Sequence, residues 1–258
     1  MPPKVSVITI TYNAGEFLEK TLLSVLNQTS SDLEYILVDG ASTDNTTDLI
    51  RQYEDLVNKG QFAIGPGQFR WISEADRGLY DAMNKGLKMA RGEFVWFINA
   101  GDKIYDNNSL ELILNKLKDY PQSDVLYGQS LIIDQNDNAL GERHKTAPAK
   151  LNKTSLLMGL VVCHQSILVR RSLAPQYDLR YRISADYDWV CKVLSLSGQN
   201  TYIDAYISRF MVSGISARQR KKSLKERFHI MRKHFGLGAT LGAHFILALR
   251  YPFTRKYH

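Results

Sequence analysis

Residues 93–102 read EFVWFINAGD, and the fold turns on them. Phe94-Val95-Trp96-Phe97-Ile98 is an unbroken run of strand-prone apolar residues, the pattern of a strand buried on both faces of a sheet. The run stops at Asn99-Ala100-Gly101-Asp102, which is small, polar and turn-forming. In an open α/β sheet, ligands bind beyond the carboxyl ends of the strands, so a carboxylate delivered there stands where chemistry takes place. Alone, these four residues read equally well as an ordinary turn.

Upstream, strand and helix patterns alternate. Val5 to Thr11 mixes β-branched and polar residues and predicts the first strand, with Tyr12-Asn13-Ala14-Gly15 as the turn after it. A helix follows over about Glu16 to Asn27, with Phe17, Leu18, Thr21, Leu22, Val25 and Leu26 on one face. Glu34 to Val38 is the second strand. It ends at Asp39-Gly40-Ala41-Ser42-Thr43-Asp44, a polar turn rich in helix N-cap types that opens a helix to about Lys59. Gln61 to Gln68 reads as a loop, Phe69 to Ser73 as a third strand ending at Glu74-Ala75-Asp76-Arg77-Gly78, and Leu79 to Ala90 as a helix. This alternation predicts an α/β fold with a mostly parallel, Rossmann-like sheet flanked by helices.

Downstream the pattern changes. Asn108-Ser109-Leu110-Glu111 resembles a capping box opening a helix to about Tyr120. Val125 to Tyr127, Leu131 to Asp134 and roughly Ala139 to His144 read as short strands, with Asn136-Asp137-Asn138 as a hairpin turn. Ser166 to Val169 and Tyr202 to Phe210 are further strands, and Ala185 to Leu196 is a helix.

The net charge of +7 conceals an asymmetry. Arg218 to His258 holds 11 Lys and Arg against one acid, Glu226, leaving 22 basic and 25 acidic residues in the rest. A mildly acidic body over 1–216 and a basic helical extension over 217–258 are the two expected pieces. The two cysteines, Cys163 and Cys191, lack metal-site or disulfide spacing, and the amino terminus shows no basic-then-apolar leader, so a cytoplasmic location is expected.

Four polar clusters fall at successive strand ends: Thr11-Tyr12-Asn13, Asp39-Gly40-Ala41-Ser42, Asp76-Arg77-Gly78 and Asn99-Ala100-Gly101-Asp102. In a parallel sheet all four converge on one edge. No G-x-G-x-x-G and no G-x-x-x-x-G-K-[ST] is present. The first two turns instead offer the Tyr12 ring and the Asp39 carboxylate to a nucleobase. Asp102 offers a hard oxygen to Mg²⁺ or Mn²⁺ on a diphosphate.

VSVITITYNAGEFLEKTLLSVLNQT, YILVDGASTDNT, ISEADRGLYDAMNKGLKMARGEFVWFINAGD, HQSILVRRSL and SADYDWVCKV together resemble the family 2 inverting glycosyltransferases of the GT-A fold, over about residues 4 to 216. SEADRGLYDAMNKG is similar to the bacterial subgroup that builds surface polysaccharides. The resemblance implies roles. Thr11, Tyr12 and Asp39 match residues that hold the base of a nucleoside diphosphate sugar, usually uracil. Asp76 and Arg77 match the segment that closes the donor site. Asn13, Asn84, Asn99, Ala100, Gly101 and His164 are assigned to the donor with them, and Asp102 matches the metal-binding acid. Asp186 matches the general base acting on the acceptor hydroxyl. Ser213-Gly214-Ile215-Ser216 matches a loop that covers the diphosphate.

Two positions depart from the family pattern. Gly101 stands where an acid usually precedes Asp102, and Ala185 replaces the first acid of a usual Glu-Asp pair. That leaves Asp186 as the candidate there, with Asp188 as a weaker substitute, read in preference as a solvated helix acid. Cys163 and Trp189 read as packing residues.

In the tail, Leu224, Phe228, Met231 and Phe235 recur on one face of a helix over Lys222 to Phe235, ringed by basic residues. Such a helix suits an anionic membrane surface. The following run, Ala239 to Leu249, is too short to span a bilayer. Docking of both helices on the body is the alternative. The expectation is therefore a metal-dependent enzyme moving one sugar from a UDP-sugar to a glycan or lipid-linked acceptor on the inner face of a membrane, without nucleic acid. A nucleotidyltransferase would need a basic triphosphate loop near the first strand, where Thr11 to Gly15 has no Lys or Arg. A nucleic-acid binder would explain the tail but not the acidic strand ends.

Overall fold

The first strand, β1 (Val5–Thr11), is buried along its whole length because it has a parallel neighbour on each side. The computed structural model describes residues 3–143, 145–212 and 220–254. The order after β1 is α1 (Gly15–Leu26), β2 (Leu33–Asp39), α2 (Thr46–Asn58), β3 (Phe69–Ser73), α3 (Leu79–Met89) and β4 (Phe94–Phe97). Then come β5 (Lys103–Ile104), α4 (Ser109–Asp119), β6 (Val125–Ile133), β7 (Ala139–Glu142), β8 (Ile167–Arg170), α5 (Ala185–Leu196), β9 (Asn200–Met211) and α6 (Arg220–Thr254).

One nine-stranded sheet runs β3-β2-β1-β4-β8-β6-β9-β5, with β7 on β6. The first four strands are parallel, as the alternation predicts. Register places Thr11 opposite Asp39 and Asp39 opposite Ser73, so the turns after β1, β2 and β3 open on one edge, joined by the turn after β4. Beyond β4 the sheet is mixed: β8 is antiparallel to β4 and β6, while β9 runs parallel to β6. The residues expected as two strands around 125–134 form the single β6, whose register on β9 slips between Tyr127 and Ser130. Gly128 lies there close against the Ala205 carbonyl. His144, at the end of the expected hairpin strand, and the loop 213–216 lie outside the described residues.

Alternation along the buried strands builds two cores. Val5, Val7, Leu33, Tyr35, Leu37, Phe94 and Trp96 face α1, α2 and α4. Ile8, Ile10, Ile36, Val38, Val95 and Phe97 face α3 and α5. The second core also takes in Ile230, Met231 and Ala243 of α6. Burying Ile230 and Met231 is worth about 1.5–3 kcal/mol each, so this part of the tail is docked. Of the face predicted there, Leu224 is left exposed.

Asp188 corrects the sequence reading. It is a fully buried side chain rather than a solvated one, and it meets Lys192 at 2.7 Å, Lys233 at 2.8 Å and His234 at 2.8 Å. Burial alone would push its carboxyl up, but hydrogen bonds from His234, Lys192 and Lys233 outweigh burial and hold it well below the usual carboxylate range. Two of those partners belong to α6, so Asp188 fastens the tail to the helix that carries Asp186. Glu226 of α6 does the same from the other side. Its carboxylate accepts the backbone amides of Arg182, Ile183 and Ser184 at 2.9–3.0 Å, just ahead of α5. At Gly236 (φ 80°) α6 kinks, which brings the His244 ring within 5.3 Å of Phe228.

Candidate active site

The strand-end edge opens into a cleft of about 390 Å³ lined by Thr11, Tyr12, Asn99, Ala100, Asp102, His164 and Asp186, with Arg143, Leu160, Cys163, Gln165, Arg182 and Met211 among the other walls. A cleft of about 490 Å³ at the opposite end of the strands, beside Lys4, Asp32 and Glu93, holds none of the predicted residues.

Asp102 reaches the cleft because α1 clasps its turn. Thr21 Oγ1 accepts the Gly101 amide at 2.9 Å and donates to the Asp102 carbonyl at 2.7 Å. The Asp102 carboxylate accepts the Met211 amide at 3.0 Å and Gln165 Nε2 at 2.7 Å. Burial raises its carboxyl to about 7, against the pull of those two hydrogen bonds, and no cationic side chain offsets it. Gly101 sits at φ +95°, and a Cβ there would collide with the Met211 side chain. The acid missing from this position is therefore disfavoured by the backbone conformation, and would also require the end of the Met211 side chain to move.

A divalent cation fits this wall. The donors present are hard oxygens: the Asp102 carboxylate without a counter-charge, and Asn99 Oδ1, a buried atom with no hydrogen-bond partner among the described residues. The described residues contain no group of three or more His, Cys, Asp or Glu able to hold a metal. Such a site matches the Mg²⁺-type arrangement in which one or two protein oxygens are completed by substrate phosphates.

Asp186 opens α5 on another wall. Its Oδ1 accepts the Tyr187 amide at 2.8 Å and lies 3.4 Å from the Tyr80 hydroxyl, which itself donates to the Ile183 carbonyl at 2.8 Å. Burial raises the Asp186 carboxyl above its ordinary range. The Tyr187 and Tyr80 hydrogen bonds and the more distant Arg227 and Arg143 charges pull it back.

Around Gly40 the first three turns meet. A Cβ on Gly40 would lie 2.5 Å from Asp76 Oδ2 and 3.2 Å from Tyr12 Cδ2. Tyr12 is 63% exposed and reaches from this cluster into the main cleft. Asp39 is buried, held by the Ser42 amide at 2.9 Å and by the Ser42 and Ser73 hydroxyls at 2.5 and 2.6 Å.

Three predicted residues take other positions. Asn13 (φ 46°) is a staple between turns: its Oδ1 accepts the Thr43 amide at 2.9 Å. Asn84 is withdrawn from the donor site, because both ends of its amide clamp the Tyr177 backbone at 3.0 and 2.7 Å. Arg77 turns outward to Asp81 at 3.1 Å and does not line the cleft. His164 does line it, but within an aromatic wall. Its Nε2 meets the Tyr177 hydroxyl at 2.7 Å, and burial lowers its pKa to about 4, so it is neutral and offers phosphate no charge. Trp189 stacks on Tyr177 at 5.2 Å, the core position expected of it.

Sequence reasoning assigned no role to Gln165, which orients Asp102 and accepts from Cys163 Sγ at 3.0 Å, nor to Tyr80, Met211 and Arg143. Only Gln165 carried a signal, its place beside His164.

The model of the family described as glycosyl transferase family 2 matches residues 6–176. The chain belongs to that family. A PGL/p-HBAD biosynthesis glycosyltransferase of Mycobacterium bovis is 32% identical over 196 residues, 75% of this chain and 70% of that protein. TuaG of Bacillus subtilis, a glycosyltransferase whose name assigns it to teichuronic acid biosynthesis, is 28% identical over 241 residues, 90% of each. Among solved structures, S. aureus TarS 1-349 in complex with UDP superposes with a TM-score of 0.71 at 18% identity, over 98% of this chain and 73% of that one. The mannosyltransferase PcManGT from Pyrobaculum calidifontis, in complex with GDP-Man and Mn²⁺, gives 0.63 at 18%, over 98% and 76%. The fold of this family 2 chain is GT-A, with the mixed sheet and flanking helices described above.

Proposed function

We propose that the chain is an inverting glycosyltransferase that moves one sugar from a UDP-sugar to a glycan or lipid-linked acceptor during assembly of a bacterial surface polysaccharide. The supporting observation is that Asp102 and Asp186 line one cleft from different walls, with Tyr12 at its edge. Displacing a nucleoside diphosphate builds positive charge at the anomeric carbon and negative charge on the leaving oxygens. Asp186 takes the proton of the acceptor hydroxyl, a contribution of roughly 10²–10⁴-fold, from an oxygen oriented by Tyr187 and Tyr80. Among the described residues, the only other carboxylate lining the cleft is Asp102, which leaves Asp186 as a single base and favours inversion over a double displacement.

Tyr12 and Asp76, whose side chains meet at Gly40, hold the base and ribose, while Asp39, expected to contact the base, is buried against Ser42 and Ser73 and braces the turn beside them. Asp102 and Asn99 would hold Mn²⁺ or Mg²⁺, which when bound supplies Lewis-acid charge to the departing diphosphate. UDP is the favoured nucleotide because the TarS structure contains it, as does that of TarS 1-349 in complex with UDP-GlcNAc; PcManGT with GDP-Man makes GDP the rival. The names of the mycobacterial protein and TuaG support the polysaccharide assignment.

The outer half of α6 is the proposed membrane contact. Leu237, Leu241, Phe245, Ile246 and Leu249 are exposed there, and Lys222, Lys225 and Arg232 are exposed on the docked half. No helix among the described residues is long and apolar enough to cross a membrane. Flotation with phosphatidylglycerol vesicles, lost on Leu241→Glu with Phe245→Glu, tests this contact.

Thermal stabilisation by a panel of nucleoside diphosphates, with and without Mn²⁺, tests the donor assignment. Mn²⁺-dependent stabilisation by UDP is expected. Stabilisation by GDP alone would overturn the base assignment, and no shift with any nucleotide would overturn the donor site.

A further inference from the structure

Beside Asp186 the protein gathers positive charge that its own acids leave unanswered. Arg143 lines the cleft and donates to the Leu160 carbonyl at 3.5 Å. At the preceding residue, Gly159, a Cβ would lie 2.7 Å from Lys145 Nζ and would collide with the Arg227 guanidinium. Lys145 Nζ is fixed there by donating to the Met158 carbonyl at 2.6 Å. Three cations from two distant parts of the chain, the segment after β7 and helix α6, thus meet over residues 158–160.

None of the three forms an ion pair among the described residues. The remaining residues include no Asp or Glu. The acids adjacent in sequence are turned away. Glu142 accepts the Tyr206 hydroxyl at 2.5 Å, and Glu226 caps the start of α5. Burial, and after it the Arg227 and Arg143 charges, lower Lys145 to about 8. Arg143 at the cleft wall, with Lys145 and Arg227 crowded around the adjoining residues 158 and 159, forms a receptor for an anion with several oxygens.

We propose that Arg143, Lys145 and Arg227 seat a phosphate or diphosphate ester carried by the acceptor, beside the hydroxyl that Asp186 deprotonates. The proposal rests on the glycosyltransferase reading of the cleft. The acceptor is assigned rather than the donor because Arg227 follows Glu226, which caps Ile183 and Ser184 just ahead of Asp186, and Arg143 lines the cleft with Asp186. The Asp102 carboxylate, by contrast, is held by Met211 and Gln165, with no cation among its partners. The pull of both arginines on Asp186 agrees with this. An anion on the cluster also screens both guanidinium groups from Asp186, so the base gains basicity as the acceptor arrives.

The test is calorimetric titration of inorganic pyrophosphate into the full chain at low salt in EDTA, where no divalent cation assists binding beside Asp102. Saturable binding is expected, weakened about tenfold or more by Lys145→Gln and by Arg227→Gln and largely restored by Arg227→Lys. Circular dichroism and thermal unfolding establish that each variant is folded. Absent binding, or binding untouched by both Gln variants, would overturn the proposal. So would loss of phosphatidylglycerol-vesicle binding in those variants with pyrophosphate binding unchanged, which assigns the cluster to lipid headgroups. Preference for pyrophosphate over inorganic phosphate supports a diphosphate-linked acceptor, and equal binding supports a phosphate ester within the glycan. Mn²⁺-dependent UDP binding, measured on the same samples, separates the two readings. Its failure in the wild type removes the donor assignment, while the pyrophosphate comparison still reads the cluster.

Discussion

Asp102 and Asp186 are two carboxylates on two walls of one cleft, and they stand in opposite surroundings. Among the described residues, Asp102 is buried with no cation beside it, while Asp186 shares its cleft with Arg143 and feels the Arg227 charge, and neither arginine pairs with an acid. One wall lacks positive charge and the other has it in excess. On the proposed reading, that difference is matched by what each wall would receive: a cation travelling with a diphosphate at Asp102, and an anion on the acceptor at the other.

The largest effect expected is from Asp186→Asn, which should lower transfer roughly 10²–10⁴-fold while leaving Mn²⁺-dependent UDP binding intact. Single-turnover transfer beside UDP calorimetry reads both, and undiminished transfer would remove Asp186 as base. Asp102→Ala should cost transfer about 10²-fold or more and abolish the Mn²⁺ dependence of UDP binding, with Lys145 and pyrophosphate unaffected. A variant that still requires Mn²⁺ for UDP would break the contrast between the walls.

Asp188→Ala should destabilise the fold by about 3 kcal/mol in urea titration, at the low end for a broken buried pair because Lys192 and Lys233 can turn to water. Since its folded-state pKa is depressed, that stabilisation is present above the unfolded-state value near 4 and fades as pH falls below it. Gly101→Asp, which restores the common acid, should cost about 1–3 kcal/mol rather than tighten metal binding, because the residue sits at positive φ against Met211. Met211→Ala should recover part of that loss. The smallest effect is in pH. Lys145, with Arg143 and Arg227 facing it, loses its proton as pH rises through about 8, so pyrophosphate affinity should fall several-fold there and stay flat in Lys145→Gln.

The strand-end edge was legible because its information is local. A buried strand announces itself by an apolar run, and each polar turn follows its strand directly, so the turns carrying Tyr12, Asp39, Asp76 and Asp102 could be placed together on one edge. The family resemblance added Asp186. What stayed hidden depends on pairings far apart in sequence. Asp188 reads as a surface acid until Lys233 and His234 arrive 45 and 46 residues later. Asn84 reads as a ligand until its amide is found on the Tyr177 backbone. The cationic cluster was equally invisible, since Arg143 and Lys145 lie in a weakly patterned stretch and Arg227 looked like one charge among many in a basic tail.

The cap that Glu226 places on the start of α5 bears on how the protein can be shortened. A chain cut after β9 would retain Tyr12, Asp102 and Asp186, though not Arg227. Yet Arg182, Ile183 and Ser184 would be left with unanswered amides, Asp188 would lose two of its three cations, and Asp186 would ride on a loosened helix. The boundary so plain in the charge distribution is crossed by the contacts that hold α5, and dividing the molecule there is expected to cost stability as well as the tail.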